Sequence, residues 1–229
     1  MDSAAVTKQS PPPQTVIMQM VMGAWITKTV SETTRLGVPD ALKKYGPLDV
    51  AQLVATAGIV AVPSALERLL RACASLGVLS EDAEGKFGST ELSEVLTSDA
   101  PGSVKKLVEA IGGPWYRGWT EFAEAIRTGQ PQAREVFGME WWDYLNANPK
   151  ELEDFGEAMK SNSETSLRGV LKYCDFSSAA TLADVGGGFG HLARALLERY
   201  PHPAGHRCRC SRSDRHHPHA LAHKRPYYF

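Results

Sequence analysis

The sequence predicts a mainly α N-terminal domain of winged-helix plan that dimerises, followed by the beginning of a Rossmann-like α/β domain. Three observations predict it. Residues 37–96 read as helix, helix, helix and hairpin. A strongly apolar helix precedes them. Near residue 181 the order becomes short strand, glycine-rich turn and amphipathic helix. With 229 residues, the chain has room for two small domains.

The first fourteen residues, MDSAAVTKQSPPPQ, are polar and carry three prolines, which predicts disorder over 1–14. The dimerisation domain is expected over 15–100. From Val16 to about Leu42 the pattern is helical, and VIMQMVMGAWITKTV is apolar over most of its circumference. Lys28 interrupts it and it is shorter than the ~20 apolar residues of a membrane span, so no membrane association is expected. Such a helix needs cover from its own chain or from a second one, and its methionines read as packing.

LGVPDALKKYGPLDVAQLVATAGIV predicts two short helices separated at Gly46-Pro47, the second capped by Asp49. Pro63 and Ser64 open a helix with Leu66, Leu69, Leu70 and Cys73 on one face, and Gly77 stops it. VLSEDAEGKFGST predicts a hairpin turning at Glu84-Gly85. The winged-helix plan raises DNA binding. Against it, the candidate recognition helix offers only Arg68 and Arg71 beside Glu67, and the wing carries Glu81, Asp82 and Glu84. An acidic wing repels phosphate, and the net charge is −1, so a packing and dimerisation module is preferred and no nucleic-acid partner is expected.

Residues 101–178 form a helical region with clustered aromatics: Trp115 and Tyr116, Trp119 and Phe122, then Trp141, Trp142 and Tyr144. These fit either a core or a pocket for a flat organic ligand. A helix capped at Asn148-Pro149 follows. Hydrophobic residues make up 43% and charged residues 22%, ordinary for a globular protein. Four cysteines, unevenly spaced, predict no disulfide framework and fit a reducing, cytoplasmic compartment.

The sharpest motif spans 179–202. TLADV is a strand ending near an acid, Asp184; GGGFG is the turn; HLARALLERY is the helix. Glycines there permit a tight turn and close approach of backbone to a ligand. In the dinucleotide fingerprint counted from Gly186, the third glycine falls on His191. The spacing Asp184-x-Gly186-x-Gly188-x-Gly190 instead resembles the first motif of class I S-adenosylmethionine-dependent methyltransferases. DVGGGFGHLARALLERYP, with LGVPDAL, the winged helix, FGMEWWDYLNANP and Met159-x-x-x-Ser163 in order, resembles their small-molecule O-methyltransferases from plants, bacteria and fungi, over 16–202.

The resemblance implies a homodimer and methyl transfer from S-adenosylmethionine to a hydroxyl of a small, usually aromatic acceptor. It implies cofactor contacts from Asp184, Gly186, Gly188 and Gly190, with Met159 and Ser163 near the cofactor. Met139 and Trp142 would face the acceptor, with Trp119 beside them. The family's base is a histidine well downstream of the glycine loop, so no catalytic residue is assigned in this chain. A catalytically inactive dimerising fragment is the alternative reading.

The expected reason lies in residues 203–229. Residues 1–190 contain no histidine, and all seven fall between His191 and His223. This abrupt change predicts a shifted reading frame. Read one nucleotide later, the codon for His206 gives Ile or Thr, and those for Cys208 and Cys210 give Val or Ala. The codons of 206–214 then permit I-V-V-D-A-P-D-L-I, an apolar strand with an acid and a turn. Cys208, Cys210, His216, His217, His219 and His223 are zinc-ligand types without zinc-finger spacing, so no metal is expected. As written, the segment is expected to be disordered. That would leave one unpaired strand, Leu182, Val185, Leu192 and Leu196 without cover, and poor cofactor binding without turnover.

Overall fold

The computed structural model describes residues 11–179, 181–184, 190–200 and the backbone of 208–210. The predicted disorder of 1–14 falls largely outside them. Helix α1 (Pro13–Arg35) ends before Gly37, whose φ of 75° breaks the expected continuous helix to Leu42, and α2 (Val38–Tyr45) restarts it. The two halves of α1 have different surroundings. Its last turns bury Ser31, Thr33 and Thr34 against the following helices, while Met20 and Trp25 stay 70% exposed.

Asp49 caps α3 (Val50–Ala57) in a capping box. Its carboxylate accepts from the Gln52 N–H at 2.8 Å, and the Gln52 side chain accepts from the Asp49 N–H at 3.0 Å. Pro63 opens α4 (Pro63–Ser75). The hairpin pairs β1 (Leu79–Glu81) with β2 (Phe87–Ser89), and an isolated bridge joins Leu48 to Phe87. One core fills this module: Val38, Leu42, Leu53, Leu66, Leu70, Cys73, Leu79 and Phe87 are buried together. Cys73 is a free thiol 3.1 Å from Thr33 Oγ1, and burial pushes its pKa up. Arg71 pairs with both Glu67 and Glu81, so its charge is neutralised beside the hairpin.

Thr90 caps the short α5 (Glu91–Glu94). Helix α6 (Lys105–Gly112) lies across α1 at a close approach. A Cβ on Gly112 would come within 1.9 Å of Ser31 Oγ, and Lys28 Nζ donates to the Gly112 carbonyl at 2.7 Å, capping the helix end. Four short helices follow: α7 (Pro114–Arg117), α8 (Phe122–Thr128), α9 (Ala133–Phe137) and α10 (Trp141–Ala147). Then α11 (Pro149–Tyr173) packs on α6 and α10. Asn148 does not cap it: its side-chain amide donates back to the Tyr144 carbonyl at 2.7 Å, and Pro149 at the first turn needs no donor partner.

The last part is β3 (Leu182–Asp184), α12 (His191–Arg199) and β4 (Cys208–Cys210). Here two expectations are corrected. The strand is not unpaired, because β4 runs parallel to β3 with Leu182 opposite Cys208 and Asp184 opposite Cys210. A backbone ladder forms regardless of side-chain polarity, which is why composition argued against it. Nor is the helix wholly uncovered: Ala193 and Leu196 are buried, with α11 and β3 packed against α12, while Leu192 stays exposed as expected. Residues 203–207 and 211–229, on which the expected disorder and the metal reading mostly rest, lie outside the described residues.

Candidate functional site

Two features stand out, one against α11 and one at the end of β3. The first is a cavity of about 430 Å³ lined by Trp115, Gly118, Gln132, Ala133, Val136, Phe137, Trp141, Phe155 and Met159. Helices α7, α9, α10 and α11 each contribute, so no single segment reveals it. Its aromatic walls contact one another. Phe155 meets Trp115 at 5.8 Å and Trp141 edge-on at 6.0 Å, and Phe137 meets Trp141 at 5.2 Å between ring centres. None of the nine lining side chains titrates near neutrality, so the cavity can hold a flat apolar body but supplies no proton acceptor of its own.

The second feature is the end of β3. Asp184 is 8% exposed, and its Oδ2 has no hydrogen-bond partner among the described residues. A buried carboxylate oxygen without a donor is costly, and it fits a ligand that brings an ammonium or hydroxyl donor. Gly190, at φ 69°, ends the loop in the left-handed region and starts α12, a backbone conformation that disfavours any side chain. The intervening residues 185–189, including Gly186 and Gly188, lie outside the described residues.

Met159 lines the cavity, and Ser163, one turn further along α11, is exposed. The three residues expected to face an acceptor do not line the cavity. Trp119, Met139 and Trp142 are 65%, 38% and 62% exposed. Each adjoins a residue that does line it or its neighbour. Successive helical residues point about 100° apart, so of the Trp141-Trp142 pair only Trp141 turns inward, while Trp142 packs edge-on against Phe155 at 5.7 Å. Trp115 and Trp141 stood in the clusters read from the sequence, whereas Phe137 and Phe155 did not, and their convergence depends on how four helices pack.

Two family models match the chain. An O-methyltransferase dimerisation domain covers residues 18–99, and an O-methyltransferase domain covers 119–209. The phenazine O-methyltransferase PhzM of Lysobacter antibioticus is 31% identical over 85% of this chain and 56% of its own length. The mitomycin biosynthesis 6-O-methyltransferase of Streptomyces lavendulae is 33% identical over 81% of this chain and 53% of its own. Human N-acetylserotonin methyltransferase, solved in complex with SAM, superposes with a TM-score of 0.77 at 29% identity, covering 90% of this chain and 60% of that one. The chain thus spans little more than half the length of the relatives it matches. Matched by the dimerisation domain at one end and the methyltransferase domain at the other, it belongs to the family of S-adenosylmethionine-dependent small-molecule O-methyltransferases.

Proposed function

We propose that this chain carries the dimerisation surface and the acceptor cavity of an enzyme that methylates a hydroxyl of a small aromatic metabolite. The observation that carries this reading is the aromatic cavity, whose wall includes Phe155 and Met159 of α11, the helix on which α12 also packs. When bound, S-adenosylmethionine supplies an electrophilic methyl group. Asp184, Gly186, Gly188 and Gly190 are the residues to hold it, with Met159 and Ser163 near it; the buried Asp184 oxygen, without a hydrogen-bond partner among the described residues, supports this assignment. Trp115, Phe137, Trp141 and Phe155 orient a planar acceptor and exclude water around it. Met139, Trp142 and Trp119 then form the outer rim of that site. No residue lining the cavity can take the hydroxyl proton, so the base comes from outside this lining.

The exposed apolar face of α1 supports a homodimer, since one chain alone leaves Met20 and Trp25 open to water. The ion-paired Arg71 and the acidic wing speak against a nucleic-acid partner. Among the described residues no helix is long and apolar enough to cross a membrane. The free, buried Cys73 fits a reducing cytoplasmic compartment.

The second reading is a dimerising chain without turnover of its own. It is favoured by a described α/β part of one strand pair and one helix, since two strands bury little. Calorimetry on the 229-residue chain separates the two. Saturable micromolar binding of S-adenosylmethionine, with methyl transfer to hydroxynaphthalenes by mass spectrometry, supports the first. Dimerisation with neither sinks turnover by this chain.

A further inference from the structure

We propose that Arg117 gives the cavity a preference for acceptors that bear an anionic substituent, a carboxylate above all, on the flat ring system. This rests on the reading of the cavity as the acceptor site. The walls themselves carry no charge. Trp115 and Trp141 bring indole N–H donors but no countercharge, and the amide nitrogen of Gln132 is already donated to the Gln130 carbonyl at 3.0 Å and Thr128 Oγ1 at 3.3 Å. A charge on the ligand must therefore be met at the rim.

Arg117 stands there. It immediately precedes Gly118, a lining residue. Its guanidinium carbon lies 4.9 Å from the centre of the Phe137 ring, and its Nη2 donates to the Val136 carbonyl at 3.3 Å. Phe137 and Val136 both line the cavity. Stacking and hydrogen bonding together restrict the guanidinium to this edge, which lowers the entropy lost when it takes a ligand.

The neighbouring cations are committed elsewhere. Arg127 pairs with Glu124, Arg134 with Glu140, and Lys106 and Lys150 with Asp154. Arg117 has no carboxylate partner among the described residues, and four of its five N–H donors remain for a planar anion. A guanidinium meets a carboxylate through two parallel hydrogen bonds, a match that a lysine cannot make. Aromatic wall and guanidinium rim together describe an aromatic acid. The site is exposed, so screening limits the preference to several-fold.

Equilibrium dialysis of the 229-residue chain against 2-naphthoate and 2-naphthamide at neutral pH tests this. The expected result is about fivefold tighter binding of the acid, shrinking as salt is raised. Arg117→Met should abolish the preference, so that acid and amide bind equally. R117K, which keeps charge but not the planar fork, should retain only part of it and carries the test if the methionine variant melts early. Equal binding of acid and amide by the unaltered chain overturns the role of Arg117 and leaves the cavity reading standing. So does a preference that survives Arg117→Met. Saturable binding of neither probe removes the cavity reading, and the inference with it.

Discussion

Between Val38 and Leu96, thirteen apolar residues close on one another in a single core. Between Pro114 and Ala147, a stretch richer in aromatics, Leu145 is the one buried residue among those described, and α7, α8 and α9 bury none. The first region uses aliphatic side chains at helical spacing to exclude water completely. The second joins its rings to one another around a space. The comparison teaches that aromatic density in this chain goes with an open cavity, while the aliphatic module is a filled core. What that module leaves open is the apolar face of α1, with Met20 and Trp25 each 70% exposed.

The largest effect should separate the two regions by stability. Leu70 is fully buried in α4, so Leu70→Ala should cost about 2–5 kcal/mol by chemical denaturation. A loss of a few tenths would mean that the 38–96 core is looser than its burial. Next, Trp25 on the open face of α1 should act as an interface anchor. Trp25→Glu is expected to weaken self-association by about thirtyfold or more in sedimentation velocity, with the thermal midpoint nearly unchanged. Unaltered association would move the dimer contact off α1.

Trp141→Ala should weaken 2-naphthamide binding by about tenfold and cost less stability than Leu70→Ala, because its ring faces a space and not a filled core. The reverse ranking would make the 114–147 region an ordinary core. The smallest effect concerns the seam between α2 and α6. Burial pushes the Asp40 carboxyl up, but the Lys105 ammonium and the donors of Ser98, at 2.7 and 3.0 Å, outweigh it and hold the pKa below its usual value. That contribution is complete above the unfolded value of about 3.9 and is lost as pH falls through the lower folded value. Asp40→Asn should therefore flatten the acid limb of a stability–pH profile below about pH 4, by no more than about 1 kcal/mol after solvent screening. An acid limb identical in the variant would assign it to other carboxylates.

Much of the first region was legible in sequence. Asp49 before an apolar run, Pro63 at a helix start and Glu84-Gly85 between short strands are local signals, and the structure places a cap, a helix and a hairpin at each. Gly37 escaped because an apolar periodic pattern runs straight across it, and a single left-handed residue is invisible to periodicity. The cavity was legible only as a choice between core and pocket. The partner strand at 208–210 was not legible at all, since Cys-Arg-Cys has no apolar alternation to announce it.

By itself, then, the sequence determined the order of helices and hairpin over 37–89, the strand ending at Asp184, the helix starting after Gly190, and the family. These depend on caps, glycine positions and spacings within a few residues of one another. Only the tertiary structure decided that Trp141 and not Trp142 faces inward, that β4 lies beside β3, and that Arg117 stands over Phe137 at the cavity rim. Each of those depends on where one segment docks against another. Docking is settled by the summed burial of many residues across the chain, and no local pattern contains it.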